Sequence, residues 1–175
     1  MLTERGLTRQ EVPSIWAIDR REVIENFYRV QDRQLILEPE HCEVNGWPPA
    51  DIELYTPLLL DCFDHGGWFH GLFDGEYLVG IAVLESRFIG PHRDLLQLKE
   101  LYVGNGHRDQ GLGRRLFERT KAEARKRGAR GLYVSATPSE HTVNFYLATG
   151  CRLSTHPDAD LLALEPEDIH LECLL

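Results

Sequence analysis

A strand that ends in a glycine-rich turn and then passes directly into a helix constrains the fold of this chain more than any other feature. Residues Leu95–Val103 have the pattern of a strand, and Gly104-Asn105-Gly106 follows as a corner. From Gln110 to Arg127 apolar residues recur at helical spacing, and Gly128 is suited to end the helix. Because the first turn of a helix leaves several backbone N–H groups without partners, this corner predicts an anion-binding site.

The residues of the corner favour an anion ligand and exclude two common phosphate motifs. Gly111 and Gly113 have no side chains that would block the amides, and Arg108 and Arg114 add positive charge. A Walker-type loop needs Gly-Lys-Ser/Thr, which is absent, and the dinucleotide fingerprint fails because Asp109 stands where its third glycine belongs. The alternative is that these glycines only allow the helix to pack tightly on the strand.

Patterns elsewhere predict a mixed sheet with helices packed on it, in the α/β (α+β) class. We expect an N-terminal amphipathic helix from about Val12 to Tyr28, then a long loop over Glu38–Pro57 in which Trp47 either lines a pocket or pins the loop to the body. A tight hairpin turn is expected at Asp74-Gly75. The other expected strands are Trp68–Phe73, Tyr77–Leu84, Leu132–Ala136, Arg152–Leu153 and Ile169–Leu174. A helix is expected between Leu132–Ala136 and Arg152–Leu153, capped by Thr137, with Pro138 in its first turn and its end at Thr149 before Gly150.

Length and composition are those of one globular domain, and we expect residues 1–175 to form it. The longest apolar runs, such as Leu58-Leu59-Leu60, are far shorter than the roughly 20 residues that a membrane span needs. The first residues lack the apolar core of a signal peptide, so a cytoplasmic location is expected. No Cys-x-x-Cys pair occurs, and free thiols are expected at Cys42, Cys62, Cys151 and Cys173.

Charge is distributed unevenly along the chain. The net charge of −9 disfavours a nucleic-acid partner. Residues 34–86 contain ten acidic residues and no lysine or arginine, whereas residues 107–131 contain nine basic and three acidic residues. One interpretation is an anionic ligand at the basic segment and a cationic ligand near the acidic one. The other is that both segments simply face solvent.

Two motifs in this order resemble the GNAT superfamily of N-acetyltransferases. Arg108-x-x-Gly111-x-Gly113, after a strand ending in Leu101-Tyr102-Val103, is similar to the acetyl-CoA pyrophosphate motif of that family. The segment Asn144–Cys151 is similar to its second cofactor-side motif. The resemblance covers about residues 68–153. It departs from the pattern at Gly104-Asn105-Gly106, where a proline is common, and at Ser139, where asparagine is frequent.

The resemblance implies a splayed mixed sheet, acetyl-CoA as co-substrate and a set of site residues. The backbones of Leu101 and Val103 would bind the pantetheine arm, and Asn144 would touch the cofactor. Tyr146 would protonate the departing thiolate. The pyrophosphate would be held by the amides of Gln110, Gly111, Leu112, Gly113 and Arg114, beside Arg108.

Acetyl transfer to an amine also needs a base. An alkylammonium with a pKa of about 10 is neutral in only about one part in a thousand at pH 7, and a carboxylate can help to remove its proton. Glu100 lies on the strand that the family places beside the acetyl group, and Glu85, Asp94 and Glu40 remain open as alternatives. No histidine spacing resembles a metal site, so no metal is expected.

The leading hypothesis is an acetyl-CoA-dependent N-acetyltransferase that acts on a small cationic amine by direct attack in a ternary complex. One alternative is a transferase for protein or peptide amino groups. Another is a catalytically weak acyl-CoA-binding module. No nucleic acid or membrane partner is expected, and a homodimer remains open.

Overall fold

Three buried residues spaced by three positions, Val12, Ile15 and Ile18, determine the conformation of the N-terminal segment. This spacing matches the three residues per turn of a 3₁₀ helix. The computed structural model, which describes residues 1–175, has a 3₁₀ helix at Arg9–Ala17. The expected α-helix to Tyr28 is therefore wrong.

The residues after this helix form a hairpin instead. Strand β2 covers Glu22–Gln31 and strand β3 covers Gln34–Val44, joined by a turn in which Asp32 and Arg33 both have positive φ. The β-branched and aromatic side chains of β2 favour an extended backbone, and this preference outweighed the helical spacing.

The expected loop Glu38–Pro57 is also wrong. Its first part belongs to β3, and helix α1 begins at Pro49 and ends at Asp64. Pro49 stands in the first turn, where a missing N–H costs nothing because that donor has no helical partner. Two of the prolines that indicated a loop, Pro48 and Pro49, therefore mark a helix start.

The structure contains nine strands and four α-helices. The other strands are β1 (Leu2–Gly6), β4 (Trp68–Asp74), β5 (Tyr77–Ile89), β6 (Leu95–Val103), β7 (Gly131–Ala136), β8 (Arg152–Leu153) and β9 (Ile169–Leu174). The other helices are α2 (Leu112–Lys126), α3 (Glu140–Ala148) and α4 (Ala159–Leu164), with a short 3₁₀ helix at Asn105–His107. None of these helices is both long enough and apolar enough to cross a membrane.

Seven strands form one sheet in the order β1-β4-β5-β6-β7-β9-β8, and β2 pairs with β3 separately. Most described pairs are antiparallel, whereas β6 and β7 are parallel. This parallel register runs from Leu95 opposite Gly131 to Gln97 opposite Tyr133, three positions in all. The predicted α/β class and mixed sheet are confirmed.

Contacts divide the chain into two compact units, each assembled from three segments. The first contains Met1–Glu22, Asn45–Ser86 and Leu98–Ala122, and its core includes Ile15, Leu59, Phe69, Ile81 and Val83. The second contains Val23–Val44, Arg87–Gln97 and Glu123–Leu175, and its buried residues include Leu132, Val143 and Leu171. The expectation of one domain over residues 1–175 stays a prediction.

Two local expectations are corrected. The hairpin turn consists of Gly75 and Glu76, because Asp74 still pairs with Tyr77. The cap of α3 is Ser139, whose hydroxyl accepts the N–H of Thr142, two residues after the expected Thr137.

Cys151 and Cys173 form a disulfide, so the expectation of four free thiols is wrong for this pair. In the β8–β9 register Arg152 lies opposite Glu172, which places the two cysteines next to each other on neighbouring strands. Cys42 and Cys62 remain free. Burial raises the pKa of the Cys62 thiol to about 12, so this thiol stays protonated at neutral pH.

Candidate active site

The last residues of β6 lead into the glycine corner and are half-buried. Tyr102 packs edge-on against Trp47, with the ring centroids 4.8 Å apart. Trp47 also packs against Trp16, and its Nε1 donates to the backbone oxygen of Ile18 at 2.9 Å. These contacts hold the segment just before α1 against other residues of the first unit. Holding this segment in place is one of the two roles predicted for Trp47.

Backbone hydrogen bonds fix the corner to two other segments. The N–H of Gly104 donates to Val79 on β5 at 2.8 Å, and that of Asn105 donates to Asp19 at 2.7 Å. A Cβ on Gly104 would lie only 3.2 Å from the Val79 oxygen, so a larger residue would have to displace the neighbouring strand. The corner therefore has a defined position in the first unit.

The Arg108 side chain contacts two residues beside the corner. Its Nε donates to the Val103 carbonyl at 3.1 Å, and its guanidinium lies 3.6 Å from the Glu22 carboxylate. The Val103 carbonyl thus already accepts a protein donor. Glu22 therefore offsets part of the positive charge that Arg108 brings to the corner.

Gly111 opens α2 in a conformation that suits a bound anion. Its φ is +75°, and no atom lies within 4 Å of where a Cβ would be. The Gly111 carbonyl accepts the first helical hydrogen bond, at 3.0 Å, so the N–H groups of Leu112, Gly113 and Arg114 have no partner within the helix. An open cradle of donors at a helix start is suited to bind an anion.

Three arginines of α2 differ in their ion pairs. Arg115 and Arg119 pair with Glu4 of β1, which is 9% exposed and also 3.0 Å from His70. Burial by itself raises the pKa of Glu4, but His70 and the two arginines outweigh it, and the pKa lies below its ordinary value. Arg114 is exposed and has no ion pair, which leaves it available for a ligand.

The second predicted motif lies on α3, in the second unit. Tyr146 is 5% exposed and packs edge-on against Phe145. Asn144 is exposed, and its Oδ1 accepts the Tyr28 hydroxyl at 2.7 Å. The other predicted site residues, from Glu100 to Arg114, belong to the first unit.

The candidate bases have different surroundings. Glu100 is half-buried on β6. Glu85 lies 3.8 Å from Lys99, Asp94 lies 3.7 Å from Arg130, and Glu40 lies 2.9 Å from Arg29. Each of these three carboxylates therefore lies near a cationic side chain.

Sequence reasoning missed a polar group of Tyr133, Ser135, Asp168 and His170 in the second unit. The available signal was His170, a polar residue inside the apolar run of β9. No group of three or more histidine, cysteine, aspartate or glutamate side chains could hold a metal ion.

Known proteins resemble this chain in fold. The sequence matches the acetyltransferase (GNAT) family over residues 30–150. A nourseothricin acetyltransferase structure is 18% identical with a TM-score of 0.73, covering 99% of this chain and 98% of the other. The PaiA N-acetyltransferase from Thermoplasma acidophilum, solved with coenzyme A, is 14% identical with a TM-score of 0.64 and coverages of 100% and 99%.

Another similar structure is the ribosomal-protein-S18-alanine N-acetyltransferase from Escherichia coli, 16% identical with a TM-score of 0.61 and coverages of 99% and 94%. No curated protein matches the sequence significantly.

The fold is of the acetyltransferase class. It has a mixed sheet with a short parallel pair of strands, and strand β6 runs through a glycine corner into a helix whose first amides have no partner within the helix. The family match covers more than half of the sequence. The chain belongs to the GNAT family of acetyltransferases, and the resemblance inferred from the two motifs is confirmed.

Proposed function

We propose that this protein is an acetyl-CoA-dependent N-acetyltransferase for a small cationic amine, with direct attack in a ternary complex. The observation that carries the proposal is the open cradle of amides at Gly111–Arg114, on a chain of the GNAT family. The neighbour solved with coenzyme A supports the same co-substrate.

The co-substrate is proposed to lie along the end of β6. Backbone groups of Leu101 and Val103 bind the pantetheine arm, and Asn144 contacts the cofactor. Because Arg108 already donates to the Val103 carbonyl, the N–H group of Val103 is the more available partner. The pyrophosphate is held by the backbone amides of Gln110, Gly111, Leu112, Gly113 and Arg114, and the side chains of Arg108 and Arg114 add positive charge.

The proposed reaction moves one acetyl group and one net proton. The neutral amine attacks the thioester carbonyl, the C–S bond breaks, and the thiolate takes a proton from Tyr146. Glu100, directly or through water, accepts the proton that the amine loses. The three pKa units between an alkylammonium and neutral pH correspond to about 4 kcal/mol, which a carboxylate and desolvation of the amine can partly offset.

Relatives of this fold differ in their acceptors, so the acceptor is the part of the proposal that needs a direct test. The similar structures include a nourseothricin acetyltransferase and a ribosomal-protein-S18-alanine N-acetyltransferase. Charge supports a cationic small molecule, because the net charge is −9 and the basic residues concentrate at the cofactor segment.

The test is release of CoA thiol from acetyl-CoA with a panel of spermidine, nourseothricin, an aminoglycoside, glutamate and a peptide with a free N-terminus. Faster release with the cationic small molecules supports the proposal. Preference for the peptide would support the protein transferase. Acetyl-CoA binding without release would support the acyl-CoA-binding module.

A further inference from the structure

A disulfide joins the segment after α3 to strand β9 in the second unit, and the proposed acetyl transfer uses neither of its cysteines. Cys151 follows shortly after α3, which ends at Ala148, and Cys173 lies on β9. The chain has four cysteines, and the other two, Cys42 and Cys62, are free thiols. The disulfide is therefore a local link and not part of a dense covalent framework.

Hydrogen bonds connect Cys151 to the residue that the proposed mechanism uses as the acid. The backbone oxygen of Tyr146 accepts the N–H of Cys151 at 3.0 Å, and it also accepts the N–H and the hydroxyl of Thr149 at 3.1 and 2.8 Å. These donors satisfy a carbonyl of the last helical turn, which has no partner within the helix. The Cys151 backbone thus helps to hold Tyr146, and the disulfide ties that backbone to β9.

The sheet holds the two sides of the disulfide unequally. Cys173 lies opposite Leu132 in the β7–β9 pair, whose register covers six positions. Cys151 immediately precedes β8, which consists of Arg152 and Leu153 and is the last strand of the sheet. Because few hydrogen bonds must break there, a short segment at an edge opens locally more easily than a strand paired along its length.

This difference gives a reductant a route to the sulfur atoms. Cys151 and Cys173 are 5% and 2% exposed, so the closed sheet shields the disulfide. The neighbours of Cys151, Gly150 and Arg152, are exposed, and only two residue pairs join β8 to β9. Opening of these two pairs uncovers the Cys151 sulfur while β9 stays paired with β7.

We propose that the Cys151–Cys173 disulfide is a redox switch for acetyl transfer. In the oxidised protein the disulfide holds the end of α3, and with it Tyr146, and this form is the active one. In the reduced protein the segment after α3 detaches from β9 more often, Tyr146 loses its fixed position, and turnover slows. The inference rests on the proposed function, in which Tyr146 is the acid, and adds its regulation.

The reductant is a dithiol, with dithiothreitol as the probe. One thiolate attacks the Cys151 sulfur, the S–S bond breaks, and Cys173 leaves as a thiolate that takes up a proton. The second thiolate of the reductant then attacks the mixed disulfide and releases Cys151, which also takes up a proton. The protein gains two electrons and two protons, and the dithiol becomes a disulfide.

The test compares the oxidised protein with protein reduced by dithiothreitol, from which the reductant is removed without air before the assay. Thiol titration of the denatured protein should give two thiols for the oxidised form and four for the reduced form. With acetyl-CoA and the best amine of the panel, N-acetyl product should form at least about fivefold more slowly after reduction, since misplacement of a catalytic group by about 1 Å costs up to about 10²-fold in rate. Reoxidation should restore the rate.

Controls separate a switch from a general loss of structure. The affinity for CoA, measured by calorimetry, should change less than about twofold, because the amide cradle at Gly111–Arg114 belongs to the first unit. Cys42→Ser removes a free thiol of β3 and should respond to reduction as the wild type does. Cys151→Ser combined with Cys173→Ser should have the slow rate of the reduced protein and no response to the dithiol. If this double variant does not fold, reduction and reoxidation of the wild type decide the question.

Hydrogen exchange gives a readout that needs no turnover. In the reduced protein the amides of Thr149 and Cys151 should exchange several-fold faster than in the oxidised protein. The amide of Val143, which donates to Ser139 at the other end of α3, should change less than about twofold. Unchanged exchange at Thr149 and Cys151 would overturn the inference, whether or not any amine is acetylated.

Equal product formation by the two redox states would overturn the switch and keep the proposed function. Four free thiols before reduction would do the same, as would loss of CoA binding on reduction, which would make the disulfide a structural link only. Absence of N-acetyl product in both states would remove the proposed function and the switch of turnover with it. Faster exchange at Cys151 would then still identify a redox-dependent end of α3.

Discussion

Tyr146 is the side chain on which the proposed chemistry depends most. Its burial to 5% exposure in α3 is compatible with a proton donor shielded from water and equally with a packing residue. A general acid contributes about 10²–10⁴ to a rate, whereas removal of one hydroxyl from a packing tyrosine leaves the rate almost unchanged.

We therefore predict that Tyr146→Phe lowers kcat by about 10² or more while acetyl-CoA affinity changes only a few-fold. Steady-state kinetics and calorimetry with acetyl-CoA measure the two quantities. Tyr77→Phe, at an exposed position of β5, is the matched control and should keep the wild-type rate. A wild-type kcat in Tyr146→Phe would assign Tyr146 to packing alone.

Gly111 offers a direct test of the anion cradle. Its φ of +75° strains any other residue, so the comparison that isolates charge is Gly111→Glu against Gly111→Gln. Both variants carry the same backbone cost, about 1–2 kcal/mol. Only the glutamate places a negative charge against the pyrophosphate.

For this pair, the prediction is that Gly111→Gln weakens CoA binding moderately and Gly111→Glu abolishes it, by about 10²-fold or more. Calorimetry with CoA gives the affinities, and circular dichroism confirms that both variants fold. Equal affinities for the two variants would show that the phosphates do not lie at this helix start.

Some local features were predictable from the sequence and others were not. The position of Gly111 at a helix start was predictable because its neighbours in the chain already define the strand, turn and helix around it. The ion pair of Arg108 with Glu22 was not predictable, because the two residues are distant in sequence. The hydrogen bonds of Tyr133 with His170 and with Asp158 join three segments of the chain, and no local pattern reveals them.

At the scale of elements, strongly periodic segments were predicted well. Strand β6 has the predicted bounds, and α2 and β7 differ from prediction by one or two residues. The errors lie where two local patterns compete. Apolar spacing by three was interpreted as an α-helix, and prolines that begin α1 were interpreted as a loop.

The 3₁₀ helix at Arg9–Ala17 gives a pH prediction. A hydrogen bond from Arg5, and then one from the backbone N–H of Thr8, lower the pKa of Glu11 to about 2. The carboxylate is therefore more stable in the folded chain than in the unfolded chain. Its contribution is present above the ordinary glutamate pKa of about 4.3 and is lost as the pH falls towards 2.

Accordingly, Glu11→Gln should destabilise the protein at pH 7, and the difference from the wild type should shrink between about pH 4.5 and pH 2. Urea unfolding across this pH range gives the free energies. Glu76→Gln, at an exposed turn position, should show no such pH-dependent difference. A constant difference for Glu11→Gln would mean that ionisation of Glu11 does not stabilise the helix cap.

At the scale of the whole molecule, ion pairs modify the charge distribution seen in the sequence. Several acids of residues 34–86 have cationic partners, as Asp64 does with Arg9 and Glu85 does with Lys99. Residues 153–175 contain six acids and no lysine or arginine, and among them Glu167 lies 3.8 Å from Arg29. Long-range attraction of a cation should therefore come from the net charge of −9 of the whole chain.

Salt dependence tests this attraction. Raising the ionic strength to about 0.5 M shortens the screening length well below about 10 Å. We predict that kcat/KM for a cationic acceptor then falls several-fold, while that for a neutral amine hardly changes. Equal salt dependence for both, or preference for an acidic acceptor, would show that the surface charge does not select the substrate.

The most direct test of the central claim is to identify the product of acetyl transfer. Acetyl-CoA with a ¹³C-labelled carbonyl is mixed with the protein and an amino sugar, and the product carbonyl is followed by NMR while CoA thiol is titrated. We expect one N-acetyl amide to form for each thiol released. Thiol release that yields an ester or free acetate, or binding of acetyl-CoA with no release for any amine of the panel, would contradict it.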